Sequence, residues 1–313
     1  MNGDRTARTK FIKNKAKELG FNWVGISEAK YLADAAPRLK AWLRQNMNGE
    51  MHYMQKHLQK RLDPRLLLEG SRSLITILLN YYPGKALSEK GKYKISKYAY
   101  GKDYHQVLKR KLWMLKDEIE KKTGKIRARA FVDSAPLMDK VWAMEAGLGW
   151  IGKNTCLITR DQGSYFFIGH LLSDLELDYD QPFLEDYCGS CDLCMQACPT
   201  NAIVSPYQLD ARKCISYLSI ELKGNFSKEQ ETMLNGWIFG CDICQDVCPW
   251  NRKSVPHSTT EFNPSEEITA LKEDDWKHLS EEKYKQLFKH SALERAGYHG
   301  LKRNIQAAAN QHE

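Results

Sequence analysis

The sequence predicts an α+β architecture: a mixed helix-and-strand domain, a small cysteine-rich domain, then a short helical tail. Three observations carry this. Over roughly the first 175 residues, amphipathic segments of helical period alternate with short apolar runs. Eight of the nine cysteines fall between Cys188 and Cys248. Beyond Thr259 the chain turns polar and acidic before short helical patterns resume. The expected boundaries are 1–180, 181–258 and 259–313.

Residues 4–19 read as an amphipathic helix, with Asp4 as its cap, Phe11, Ile12, Ala16 and Leu19 as the apolar stripe, and Gly20 as its end. A strand is expected at 22–26 and a second helix at about 36–47. The continuous apolar run 74–80 reads as a buried strand. A long helix is expected at 104–122, with Val107, Leu108, Leu112, Leu115 and Ile119 on its inner face. Further strands are expected at 126–132, 155–159 and 165–172, and a helix at 137–145. Residues 259–275 read as a polar, acidic linker.

The cysteines are the most specific signal. Cys188, Cys191, Cys194 and Cys198, followed by Pro199, spell C-x2-C-x2-C-x3-C-P, the bacterial ferredoxin run. Cys241, Cys244 and Cys248, followed by Pro249, form a second run one cysteine short, and Cys214 lies upstream to complete it. Eight soft thiolates suffice for two [4Fe–4S] clusters. In two-cluster ferredoxins the fourth cysteine of a run serves the other cluster. Applied here, one cluster takes Cys188, Cys191, Cys194 and Cys248, and the other takes Cys198, Cys214, Cys241 and Cys244. Zinc would need no such paired long runs, and the cysteines are spaced too tightly for a disulfide framework. The ninth, Cys156, reads as a buried core residue.

Composition narrows the setting. The hydrophobic content of 42% is ordinary for a globular protein. The apolar run 74–79 is far too short to span a membrane. The N-terminus has neither an apolar leader core nor a twin arginine, so a cytoplasmic location is expected. Net charge is +8, and residues 85–129 carry fifteen basic against five acidic side chains. A local basic field favours a polyanion such as nucleic acid, and a solvated lysine-rich helix face would look the same. Tyr81, Tyr82, Tyr93, Tyr98, Tyr100 and Tyr104 lie among these cations, either to stack on unpaired bases or as core residues. No GxGxxG or Walker A string is present, so neither a Rossmann dinucleotide site nor P-loop chemistry is supported.

A cluster-bearing segment joined to a larger domain feeds electrons to a site in that domain. Candidates gather between Phe131 and Thr155. Asp133 follows an apolar strand and precedes a Pro-containing turn. It reads either as a general acid, if burial raises its pKa, or as a helix cap. Gly147, Gly149 and Gly152 suggest close backbone approach to something flat or bulky, or ordinary turns.

The chain resembles the epoxyqueuosine reductase family, which completes queuosine synthesis in tRNA. The resemblance is carried by Y-A-Y-G-K-D-Y-H (98–105), V-D-S-A-P (132–136), G-W-I-G-K-N-T (149–155), the first cysteine run, C-I-S-Y-L-S-I-E-L-K-G (214–224) and F-G-C-D-I-C-Q-D-V-C-P (239–249), in that order. It runs from the N-terminus to about Trp250, and more weakly to about Asn304.

The resemblance implies a nitroreductase-like domain holding base-off cobalamin, then a ferredoxin-like domain with two [4Fe–4S] clusters. It implies Asp133 as proton donor, and places Arg61, Asn154, Ser216, Lys223, Cys241 and Asp242 near the corrin, with Ser96 where some members set a side chain over cobalt. His105 is not expected on cobalt, because D-Y-H-Q-V-L lacks the glycine of the D-x-H-x-x-G cobalamin signature. The stretch 223–225 lies where the family meets tRNA. The implied reaction removes the epoxide oxygen of epoxyqueuosine at the wobble position. The expected partners are that tRNA and an unidentified electron donor; no membrane is involved, and a monomer is expected. Many members continue into C-terminal helical repeats, of which 295–304 resembles only the start; the basic segment 85–129 is a candidate to compensate in gripping tRNA. Two other readings compete: a cobalamin-dependent reductive dehalogenase of small molecules, and a non-catalytic iron–sulfur electron carrier.

Overall fold

The computed structural model describes residues 4–85, 87 and 92–310. Lys90 and Glu89, counted above in the basic segment, lie outside the described residues. In order, the first domain comprises α1 (Arg5–Glu18), β1 (Trp23–Glu28), α2 (Ala35–Arg44), α3 (Leu58–Leu62), β2 (Ser73–Asn80), β3 (Lys94–Ile95), α4 (Tyr104–Thr123), β4 (Ala128–Phe131), α5 (Asp139–Glu145), β5 (Trp150–Ile151), β6 (Leu157–Ile158) and β7 (Phe166–Ser173). Asp4 caps α1 as expected, accepting from the Ala7 amide.

Four strands form an antiparallel sheet in the order β1-β2-β7-β4. Every residue of β2 is buried, which explains its unbroken apolar run. Because strand side chains alternate, Ile75, Ile77 and Leu79 join a core with α1 and α4, built on Ile12, Ala16 and the predicted α4 stripe. Leu74 and Leu172 face the other way, onto Leu39, Leu43 and Trp142 of α2 and α5. The sheet is thus sandwiched by helices, and antiparallel pairing makes the class α+β.

The cysteine-rich part follows: α6 (Leu193–Gln196), β8 (Ile203–Ser205), β9 (Gln208–Leu209), α7 (Ile215–Ile220), α8 (Lys228–Met233), β10 (Trp237–Phe239) and α9 (Ile243–Asp246). It is stitched to the first domain by a parallel pair between β10 and β3. The tail holds α10 (Glu266–Thr269), α11 (Glu273–Lys277), α12 (Glu281–Leu287) and α13 (Gly297–Asn310). Residues 259–275 differ from the expected linker: they contain α10 and part of α11, and Phe262 enters the main core. Trp276, Phe288, Leu301 and Ile305 share one core with Ile95, Ile220 and Phe239. Asn304, fully buried, donates to the Ser219 and Ile238 carbonyls at 2.7 and 2.8 Å. Among the described residues no helix is long and apolar enough to cross a membrane.

Candidate functional site

The thiols fall into two groups. Cys194 lies within electrostatic reach of Cys188, Cys191 and Cys248. Cys188 and Cys248 also pack on the same aromatic cluster around Trp150. Cys241 lies within reach of Cys214 and Cys198, and Cys244 within reach of Cys241 and Cys214. None of the nine is in a disulfide. Burial pushes the Cys194 thiol up to about 11 and raises Cys214 and Cys241 as well. Uncompensated thiolates are costly there, and bound iron would supply the compensating charge.

Backbone amides already aim at the sulfurs. Ala202 donates to Cys198 Sγ at 3.3 Å. The backbone of Ser216 and Tyr217 serves Cys214, and that of Trp250 and Asn251 serves Cys248. Such bonds stabilise thiolate ligands and tune cluster potentials. Among the described residues no three His, Cys, Asp or Glu side chains converge as they do on a single ion, whereas a four-iron cluster spreads its four cysteines around a cube.

Asp133 stands just past the end of β4 with a left-handed backbone, φ 52°, a conformation Asp tolerates better than most residues. It is not a helix cap, since α5 begins six positions later, after Met138. Tyr104 donates to Asp133 Oδ2 at 2.5 Å. His105 Nε2 lies 3.6 Å from the same oxygen, an ion-pair contact rather than a hydrogen bond. His105 Nδ1 is 2.7 Å from Asp103 Oδ1, and Asp103 also caps α4. Tyr104 is fixed by stacking on Phe167, ring centroids 4.2 Å apart. The start of α4 thus presents a chain, Asp103–His105–Asp133–Tyr104, at the end of β4.

The electrostatics of this chain are paired. Burial raises Asp133, but the contacts with His105 and Tyr104 and the charges of His105 and Lys140 outweigh it, so its pKa lies below the usual carboxylate value. The expectation of a pKa raised by burial is therefore reversed. Its side chain is 64% exposed, so water screens each of these effects. Burial lowers His105, yet its hydrogen bond to Asp103 and its contact with Asp133 push it up to about 9. The resting pair is a carboxylate beside an imidazolium. With both ring nitrogens engaged by carboxylates, His105 has no free nitrogen for a metal.

The other expected residues surround this chain unevenly. Arg61 is buried and donates to the Leu137 and Tyr53 carbonyls, both at 3.2 Å. Its Nε is buried without a partner. Tyr53 lies among the charges of Glu221, Arg295, Asp133 and Arg61. Ser96 and Asp242 are both buried and hydrogen-bond each other directly. Lys97 adds its amide to Asp242 at 2.8 Å and an ion pair to Asp246. Burial pushes the Tyr98 hydroxyl well up, and the charges of Asp133 and Asp242 add to it. Asn154 donates to the Cys244 carbonyl at 3.2 Å. Ser216 is half-buried on α7, beside Cys214. Lys223 is exposed, and its amide donates to Glu50 at 2.8 Å.

Several readings change. A Cβ on Gly149 would stand 2.1 Å from the Ile158 carbonyl, and one on Gly147 2.7 Å from that of Gln181; the close approach is to the protein's own backbone. Tyr81, Tyr93 and Tyr100 are buried core residues. Part of the basic segment is internally paired, as in Lys116–Glu120, Lys121–Glu118 and Arg110–Glu261. Cys156 is half-buried rather than core, because β6 begins only at Leu157. Tyr104, His105 and Tyr53 were not singled out as site residues by sequence; the string 98–105 was the one signal for the first two.

Comparisons with known proteins identify the family. Residues 61–134 match the model of epoxyqueuosine reductase QueG, DUF1730, and residues 187–251 match the 4Fe-4S double cluster binding domain. An epoxyqueuosine reductase of Cellulophaga algicola is 52% identical over 294 residues, covering 94% of this chain and 95% of that protein. A crystal structure of epoxyqueuosine reductase with a tRNA-Tyr epoxyqueuosine-modified stem loop superposes with a TM-score of 0.88 at 31% identity, covering 96% of this chain and 80% of that one. The Bacillus subtilis enzyme, solved with its catalytic aspartate loop swung out of the active site, superposes with a TM-score of 0.87 at 30% identity, covering 96% of this chain and 81% of that one. The dehalogenase and bare-carrier readings give way to these matches: the chain belongs to the epoxyqueuosine reductase family.

Proposed function

We propose that this chain reduces epoxyqueuosine to queuosine in the anticodon loop of tRNA, as a monomer fed by a separate electron donor, in the three-part organisation 1–180, 181–258 and 259–313. The net chemistry is the addition of two electrons and two protons to an epoxide, giving an alkene and water. The observation that carries the reading is that one chain holds both the two groups of four cysteines and the Asp133–His105 pair, 3.6 Å apart.

The crossed ligand sets are supported by the two thiol groups: Cys188, Cys191, Cys194 and Cys248 for one cluster, and Cys198, Cys214, Cys241 and Cys244 for the other. Cobalamin would be held by polar side chains near Asp133 and the second group. Arg61, with its buried partnerless Nε, is a donor for a large polar cofactor. Ser96, Asn154, Ser216, Lys223, Cys241 and Asp242 are the other residues proposed to hold it. When bound, it supplies a strongly reducing cobalt centre.

The chain's own work is to place the base and move a proton. Expelling an alkoxide without a proton is costly. Asp133, the nearest member of the pair to open solvent, would protonate the leaving oxygen, and His105 would hold the proton beside it until then. The left-handed backbone at Asp133 suits a loop that moves, and the Bacillus subtilis enzyme was solved with its catalytic loop swung out of the active site. Lys223 and its neighbours, exposed beside α7, would meet the tRNA.

The test is anaerobic reconstitution with iron, sulfide and cobalamin, followed by assay on epoxyqueuosine-containing tRNA. Cobalamin binding and queuosine formation are expected. Binding without turnover on tRNA, together with reduction of small organohalides, would move the chain to the dehalogenase class.

A further inference from the structure

Tyr53 has no part in the reaction outlined above, yet its ring is held out into solvent by a fixed turn. It sits in the middle of a single 3-10 turn, His52–Met54. On one side Met51 packs against the core around Tyr217 and Leu218, and on the other Met54 packs against the core around Leu39 and Trp142. Tyr53 between them stays 45% exposed, which forgoes the burial that an aromatic ring would gain. Its carbonyl accepts from Arg61 Nη2 at 3.2 Å, and Arg61 Nη1 donates to the Leu137 carbonyl at 3.2 Å. Leu137 lies four positions beyond Asp133, so the turn is fastened to the segment that follows the carboxylate. Two cations share this surface. The Arg295 guanidinium of the tail lies 6.0 Å from the centre of the Tyr53 ring, at the outer limit of a cation–π contact. It is oriented by a two-pronged pair with Glu221, Nε to Oε1 and Nη2 to Oε2, both at 3.1 Å, and its side chain remains 58% exposed. Lys223 is exposed, and its amide donates at 2.8 Å to the carboxylate of Glu50, three positions before Tyr53. The Glu50 amide donates in turn to the Tyr217 hydroxyl at 2.7 Å.

We propose that Tyr53 and Arg295 form a stacking shelf for one unstacked nucleobase of the anticodon loop, a neighbour of the base that reacts. An exposed ring beside an oriented guanidinium plane is the chemistry that takes the flat face of an unpaired base, and Lys223 stands beside it for the phosphate backbone. The proposal rests on the tRNA reading above and names where that substrate is gripped. A base held on the shelf cannot restack on the reacting base, so the shelf lowers the cost of splaying that base into the cleft.

Fluorescence anisotropy tests this, with a labelled epoxyqueuosine-containing stem-loop RNA titrated, without reductant, with the full chain reconstituted with iron, sulfide and cobalamin. Tyr53→Leu keeps apolar bulk and the backbone bond to Arg61 but removes the π face. Its Kd should rise about fivefold to a hundredfold, the worth of one base–aromatic stack, whereas Tyr53→Phe should bind as wild type does. An abasic residue in place of one nucleotide flanking the wobble position should weaken wild type by a similar factor. It should weaken Tyr53→Leu no further, because ring and base belong to one contact, and Arg295→Ala should lose part of the same sensitivity. Unchanged affinity in Tyr53→Leu overturns the shelf, as do additive losses with every flanking abasic residue. Equal losses in Tyr53→Phe and Tyr53→Leu also overturn it, since they would assign the effect to the hydroxyl. A wild-type chain that fails to bind the stem-loop overturns the shelf together with the tRNA reading. Coupled losses in a chain that forms no queuosine when reductant is added would uphold the shelf and reject the catalytic reading.

Discussion

At the scale of single residues, the account turns on the Asp133–His105 pair. Asp133→Asn keeps the shape and removes the acid. Its turnover should fall by about 10²-fold or more, with cluster content unchanged; full activity would contradict the assignment. The pair also sets a pH signature. The His105 pKa is raised from 6.5 to about 9, so its contribution to stability is complete below about 6.5 and is lost as pH rises through about 9. The lowered Asp133 contributes above its unfolded value and loses that contribution as pH falls. Thermal melts should therefore show the advantage of wild type over His105→Gln shrinking between pH 7 and 10; a constant difference would mean that His105 is not held as an imidazolium. The place of Asp133 at the end of an apolar strand was legible in V-D-S-A-P. The partners that lower its pKa were not, because Tyr104 and His105 reach it from a helix start 29 and 28 positions earlier, and only packing against Phe167 brings them there.

At the scale of elements, α4 shows what local pattern conveys. Val107, Leu108, Leu112, Leu115 and Ile119 were expected on one face, and all five are buried. Leu112→Ala should cost about 2–5 kcal/mol in denaturant unfolding, since it empties a site between α4 and the sheet; a loss under ~1 kcal/mol would mean that the face is not packed as described. The strand at 74–80 was legible for the same reason, because burial on both faces leaves an unbroken apolar run. The pair of β3 with β10 was not. It joins residues 143 and 144 positions apart through two- and three-residue strands, and neither segment has a period long enough to read. The tail was misread as beginning with a linker because its short helices expose acidic first turns, such as Glu273, Asp274 and Asp275 in α11, while burying single large residues such as Trp276.

At the scale of the whole molecule, crossed ligation would make the cysteine runs a clamp as well as a conduit. If ligation is crossed, a substitution in the second run must damage the cluster of the first. Cys248→Ala and Cys194→Ala should leave the same residual cluster spectrum, and Cys244→Ala the other one; matching spectra for Cys248→Ala and Cys244→Ala would reject the crossing. The tail belongs to the same assembly, since Asn304 and Arg303 of α13 bond carbonyls of α7, β10 and the loop after α7. The central claim is that the clusters feed a reduction completed by a proton from Asp133. The direct measurement is a single-turnover assay of the reconstituted chain and of Asp133→Asn on epoxyqueuosine-containing tRNA, counting electrons consumed per queuosine formed. The account predicts two electrons per queuosine in wild type, and in the variant clusters that still reduce while queuosine fails to appear. Queuosine formation at the wild-type rate in Asp133→Asn, or none in a wild-type chain with both clusters and cobalamin in place, would contradict it.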